Sequence, residues 1–140
     1  MQVERIDRIL IAVSDLGVAS KFFSDVLGLK FDESRVDEGQ KVKYTRSAVG
    51  LELIQSTSPD GPVAKFVDKR GEGLYGVILK VPDIRSAIGE MQKKGLQLVA
   101  NPEAGGLQEA YFHPRDSHGV MVVLCQYESK HGATIAEAQD

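Results

Sequence analysis

RILIAVSDLGVASKFFSDVLGLKF, residues 8–31, and GVILKVPDIRSAIGEMQKKGLQLV, residues 76–99, are two versions of one pattern set 68 residues apart. Each opens on an apolar run of strand character that closes on valine, Val13 or Val81, and each then passes through Ser or Pro to an aspartate, Asp15 or Asp83. An aspartate there offers an acceptor to the free N–H groups of a helix start and a negative charge to the positive end of its dipole. Both copies continue as an amphipathic helix with alanine at matching places, Ala19 and Ala87, and reach Gly28 or Gly95, where a left-handed residue can end the helix. LELIQ from Leu51 matches VVLCQ from Val122 at an offset of 71, so each copy also ends on a similar strand.

Outward from these landmarks, strands read near 29–34, 40–48 and 50–56 in the first half, punctuated by Asp37-Glu38-Gly39 and Gly50. The second half offers strands near 96–100, 108–113 and 119–126. The chain is therefore read as two βαβββ modules, one over about 5–57 and one over about 74–127, an α+β architecture in a single domain spanning 1–127. SPDGPVAKFVDKRGEG, 58–73, joins them as a short helix, with Pro62 suited to its first turn and Gly71 and Gly73 beyond its end. Residues 128–140 carry no strand pattern and read as a tail. Gly105-Gly106 and RGEGLYG have no strand-GxxxxGK-helix context and read as turns.

The bulk composition closes off several classes of function. At 140 residues, with 42% hydrophobic and 26% charged residues, the chain suits one folded domain. Seventeen basic residues are scattered among 20 acidic ones for a net charge of −3, which provides no field to gather nucleic acid or anionic lipid. The first apolar run stops at Ser14, too short for a membrane span or a secretion signal, so a cytoplasmic location is expected. Cys125 stands alone, which excludes an internal disulfide or a thiolate metal cluster and reads as an apolar filler in a strand.

Paired βαβββ modules, together with IDRILIAVSDL, DVLGLKF, SPDGPVAKFVDKRGEGL, VPDI and YFHPRDSHGVMVVL, resemble the vicinal oxygen chelate superfamily, in its methylmalonyl-CoA epimerase-like branch, over roughly residues 6–127. The resemblance implies paired modules whose sheets curl around a cavity, and a homodimer. It also implies a divalent metal held by a His in the first strand of each module and by Glu or Gln in each final strand. Those places hold Arg8, Gly76, Glu52 and Val123 here, of which Glu52 alone has a ligating side chain. Of the carboxylate pair that the resemblance implies for proton exchange, one place is Val123 and the other aligns with Lys43.

The expected site is therefore metal-free, without a cofactor, and friendly to a small anionic molecule or an acyl-CoA. Lys43 and Glu52 are its candidate catalytic residues, with Arg8, Tyr75, His113 and Arg115 as candidate substrate contacts. Each has a plainer alternative. Arg8 and Glu52 suit a buried ion pair in the old metal place, the alternating lysines of QKVKYTR suit a solvated strand face, Tyr75 and Tyr111 suit packing, and His113 and Arg115 suit a turn. Three functions stay open: a metal-independent isomerase or lyase, a non-catalytic binding protein like the bleomycin-resistance relatives, and a conventional metalloenzyme whose ligands lie elsewhere.

Overall fold

The computed structural model describes residues 1–128, so the tail read at 128–140 lies, apart from Glu128, outside the described residues. The first module comprises β1 (Arg5–Ala12), α1 (Leu16–Leu27), β2 (Arg35–Asp37), β3 (Val42–Arg46) and β4 (Leu51–Ser56). Helix α2 (Pro62–Arg70) follows, and then β5 (Gly73–Lys80), α3 (Ile84–Lys93), β6 (Leu98–Ala100), β7 (Glu103–Ala104), β8 (Leu107–Phe112) and β9 (Met121–Gln126). The strand expected at 29–34 is reduced to a single bridge between Phe31 and Ser47, and pairing resumes at Arg35.

Each helix is begun by its own module in the same way. Asp15 accepts from Val18 N–H at 3.0 Å, and Asp83 accepts from Ser86 N–H at 3.1 Å. The second repeat completes the cap: Gln55 Oε1 accepts from Leu16 N–H at 2.7 Å, and Gln126 Oε1 accepts from Ile84 N–H at 2.8 Å. The glutamine that ends LELIQ and VVLCQ thus ties the last strand of a module to the first turn of its helix. Gly28 ends α1 at φ 69°, while α3 ends on Lys94 with Gly95 in the left-handed region one residue later.

One mixed sheet carries both modules in the order β2-β3-β4-β1-β5-β9-β8-β6, with β7 paired to β8. Strand β1 pairs parallel with β4, β5 pairs parallel with β9, and the two modules meet antiparallel at β1 and β5. The sheet curls so that its two faces bury different sets. On the outer face, Leu16 of α1 packs with Val13 and Leu53, and Ile84, Ala87 and Met91 of α3 pack with Ala110, Phe112 and Leu124. The inner face gathers Leu10, Val42, Ile54, Ile78 and Val123, closed on one side by Val63 of α2. Each such aliphatic side chain contributes about 1.5–3 kcal/mol by leaving water. No described helix is long and apolar enough to cross a membrane.

Two bulges, placed alike in the two modules, break the central ladder. Ile6 faces Leu79 while Arg8 faces Ile78, so Asp7 is the extra residue in β1. Leu10 faces Gly76 while Ile11 faces Leu74, so Tyr75 is the extra residue in β5. A bulge turns a residue that alternation would send outward, and both Asp7 and Tyr75 are buried beside their neighbours Arg8 and Gly76. Gly76 itself is required by packing: a Cβ there would lie 2.5 Å from the Met121 carbonyl oxygen. Gly76→Ala is expected to cost about 1–3 kcal/mol by forcing β5 from β9, read as a lower urea midpoint with little change of slope.

Candidate active site

Arg8 is in phase with Leu10 and Ala12 along β1, which points its guanidinium into the inner face, where it is 1% exposed. Its three nitrogens meet three carboxylates from three strands: Nε donates to Asp7 Oδ2 at 2.7 Å, Nη1 to Glu52 Oε1 at 2.5 Å, and Nη2 to Glu109 Oε2 at 2.8 Å. Arg46 of β3 lies alongside, its Nε donating to the same Glu52 Oε1 at 3.0 Å and its guanidinium stacked over the Tyr44 ring at 4.9 Å. Behind Arg8, Asp7 also accepts from the Tyr127 hydroxyl and, at 3.2 Å, from Arg5. The buried ion pair expected of Arg8 and Glu52 is therefore the centre of a wider network.

Burial alone disfavours the Arg8 cation, but Glu109, Glu52 and Asp7 outweigh it and raise its pKa well above the usual arginine value. Burial also disfavours the Asp7 carboxylate, yet the Tyr127 hydrogen bond and the Arg8 cation hold its pKa below the usual carboxylate range. Glu109 goes the other way: burial pushes its carboxyl up, Glu52 adds to this, and Arg8 and Arg46 only partly offset it. The Tyr111 hydroxyl stands 3.5 Å from Glu109 Oε1, and burial beside that carboxyl lifts its pKa well above the phenol range. Two carboxyl groups on one arginine are thus shifted in opposite directions, Asp7 down by its hydrogen bonds and the Arg8 cation and Glu109 up by burial.

These groups face space. A cavity of about 610 Å³ opens between the 36–40 edge of the first module and the 99–104 edge of the second. Asp37, Gln40, Tyr44 and Pro102 line both it and a narrower inner chamber of about 30 Å³ walled by Arg46, Glu52, Glu109 and Tyr111. The chamber holds roughly one small group, on the scale of a water molecule.

The other candidates from the sequence stand elsewhere. Lys43 does not join Arg8 and Glu52. In the β3–β4 register, Tyr44 faces Ile54 and Arg46 faces Glu52 on the inner side, which sends Lys43 and Thr45 outward into a groove against Ser20 and Ser24 of α1. The period of two makes this a one-residue matter: the inward cation of β3 is Arg46. Tyr75 and His113 share a separate cleft of about 410 Å³ under α2, where the Tyr75 ring meets Phe66 edge-on at 5.0 Å. His113 Nδ1 accepts from Arg115 N–H at 3.1 Å at the start of the turn Pro114–Asp116, and the Arg115 side chain is exposed beside Asp116 and Gln97. Arg46, Glu109 and Asp7 were not singled out from the sequence as members of this site. The signal for the first two was present: Arg46 is in phase with Val42 and Tyr44, and Glu109 with Leu107 and Tyr111, each a charge on an otherwise apolar strand face.

The metal implied by the resemblance would have to sit among these same groups. Glu52 and Glu109 already have a cation between them, the guanidinium of Arg8. Gly76 has no room for a side chain, and Val123 is part of the apolar wall. Among the described residues no group of three or more His, Cys, Asp and Glu is arranged to hold a metal ion. The residues present do not fit a divalent ion.

Comparison with known proteins agrees with the paired-module architecture. Residues 7–112 match the family model described as the Glyoxalase/Bleomycin resistance protein/Dioxygenase superfamily. The chain is 32% identical to an uncharacterized protein of Bacillus subtilis, YqjC, over 89% of this chain and 93% of that one. It is 30% identical to mouse mitochondrial methylmalonyl-CoA epimerase, over 87% of this chain and 72% of the enzyme. Among solved structures, a Streptomyces coelicolor methylmalonyl-CoA epimerase variant in complex with 2-nitronate-propionyl-CoA superposes with a TM-score of 0.83 at 27% identity, covering 91% of this chain and all (100%) of that one. The two βαβββ modules, curled around one cavity and matched along most of their length, make this chain a member of the glyoxalase/bleomycin resistance protein/dioxygenase superfamily.

Proposed function

We propose that the chain is a metal-independent isomerase or lyase that moves a proton next to the carbonyl of a small carboxylate or acyl thioester. The observation that carries this reading is Glu109: a buried carboxyl with a raised pKa, on the wall of a chamber that opens into a substrate-sized cavity. As carboxylate it takes the α-proton, and the Tyr111 hydroxyl stands 3.5 Å away as a donor to it. Arg8 keeps Glu109 and Glu52 compatible in one small volume and holds their carboxyl groups in place. The role given to Lys43 in the sequence reading passes to Glu109, because Lys43 faces α1. The likeness to methylmalonyl-CoA epimerases supports the substrate class and the type of step.

The test is isotope exchange. In D2O, methylmalonyl-CoA or another acyl-CoA with an acidic α-hydrogen should lose its α-proton signal at a rate proportional to protein concentration, with or without chelator. An exchange rate equal to the protein-free control across such thioesters would sink the reading.

One observation favours the second reading, a non-catalytic binding protein. Every nitrogen of Arg8 is already paired with a carboxylate, as in a network that serves structure. That protein would bind small acids in the same cavity and exchange no proton.

A further inference from the structure

Arg8 and Arg46 are both buried guanidinium groups beside Glu52, but they are spent differently. Each nitrogen of Arg8 has its own carboxylate. Arg46 is 5% exposed, yet its side chain makes one hydrogen bond, from Nε to Glu52, and its two Nη groups have no hydrogen-bond partner among the described residues. Its guanidinium carbon lies 4.9 Å from the centre of the Tyr44 ring, and Arg46 is part of the wall of the inner chamber. Buried donors left unpaired cost about 1–3 kcal/mol each, so such an arrangement persists where something else fills them.

We propose that Arg46 is an anion-binding residue, and that the inner chamber takes a single small anionic group, a carboxylate or an enolate oxygen, against its Nη fork. A planar guanidinium with parallel free N–H donors matches a carboxylate bidentately, and the chamber has room for about one such group. Arg46 shares the chamber with Glu109, so the anionic group is set beside the proton-transferring carboxyl. This deepens the proton-transfer reading by naming the substrate class, an acid or thioester with an anionic group at or next to the reacting carbon. It rests on that reading only in taking the cavity as the substrate site.

The experiment is a titration of the purified protein with propionate and with propionamide, its neutral isostere, at constant ionic strength, followed by the arginine side-chain N–H signals in 15N NMR and by calorimetry. Propionate should bind with a millimolar Kd and shift the Arg46 Nη signals, and propionamide should bind at least about tenfold more weakly. Arg46→Met should weaken propionate by about 10- to 100-fold. Arg46→Lys, which keeps the charge and the fold but not the fork, should fall between. Equal affinity for acid and amide, an unchanged Kd in Arg46→Met or Arg46→Lys, or no binding of propionate up to about 100 mM would each overturn the proposal. The two readings fail separately. Propionate binding that depends on Arg46, in a protein that exchanges no thioester α-proton, removes the proton-transfer step and leaves the anion site. Exchange without acid binding removes the anion site alone.

Discussion

Glu109→Gln is expected to fold like the parent chain and to lose α-proton exchange by about 10²–10⁴-fold, the usual worth of a positioned general base. Glutamine keeps the size and an acceptor for Arg8 Nη2, so the loss reports the missing base rather than a collapsed site. The pH dependence carries the sign. A base acts deprotonated, and burial raises the Glu109 pKa, so exchange by the parent protein should climb with pH through a midpoint above the ordinary glutamate value. Stability moves the opposite way. A carboxyl whose pKa is raised by folding contributes most below its unfolded pKa, and that contribution is lost as pH rises through the folded value. Glu109→Gln should therefore gain stability relative to the parent as pH rises, measured as the difference in urea midpoints across the titration. Lys43→Ala, on the outer face, is the companion control. Exchange within about twofold of the parent for Lys43→Ala, together with loss for Glu109→Gln, assigns the base, and the reverse pattern refutes the assignment.

Arg8→Met should be the most destabilising single change in the site, by about 3–5 kcal/mol. It removes the cation that Asp7, Glu52 and Glu109 share in a volume with almost no water access. What remains is like-charge crowding, which the protein can relieve only by taking up protons or admitting water. For a chain of this size the thermal midpoint should fall by about 10–15 °C. The loss should shrink as the pH falls, because a protonated Glu109 no longer needs the cation. Adding Glu52→Gln and Glu109→Gln to Arg8→Met should restore part of the stability, since neutral amides tolerate each other where carboxylates do not. A triple variant no more stable than Arg8→Met would show that Arg8 acts through its packing. An acid limit follows from the same cluster: Asp7 is held below the usual carboxylate range, so its contribution is present above that range and is lost as pH falls through it.

The modules, their order and their helices were legible because the information is local and written twice. Asp15 and Asp83 sit where a helix start needs an acceptor, and Pro62 sits where a missing N–H does no harm. The paired glutamines Gln55 and Gln126 were visible as a repeat, although their use as helix caps was not. Arg8 and Glu52 lie on one face, since period-two alternation in β1 and β4 brings both inward. Lys43 shows where such reading ends. The identity of a strand residue is local, but the face it presents depends on the register of β3 against β4, and a step of one residue exchanges Lys43 for Arg46.

What the sequence by itself determined is the architecture: a duplicated strand-helix-strand unit with its caps and turns. What only the tertiary structure decided is the chemistry of the inner face. Asp7, Arg8, Arg46, Glu52 and Glu109 come from four strands, with Arg8 and Glu109 101 residues apart, and a bulge in β1 is needed to bring Asp7 among them. Helix caps depend on neighbours along the chain, whereas the state of a buried charge depends on which other charges share its volume, and that is set by how the sheet curls.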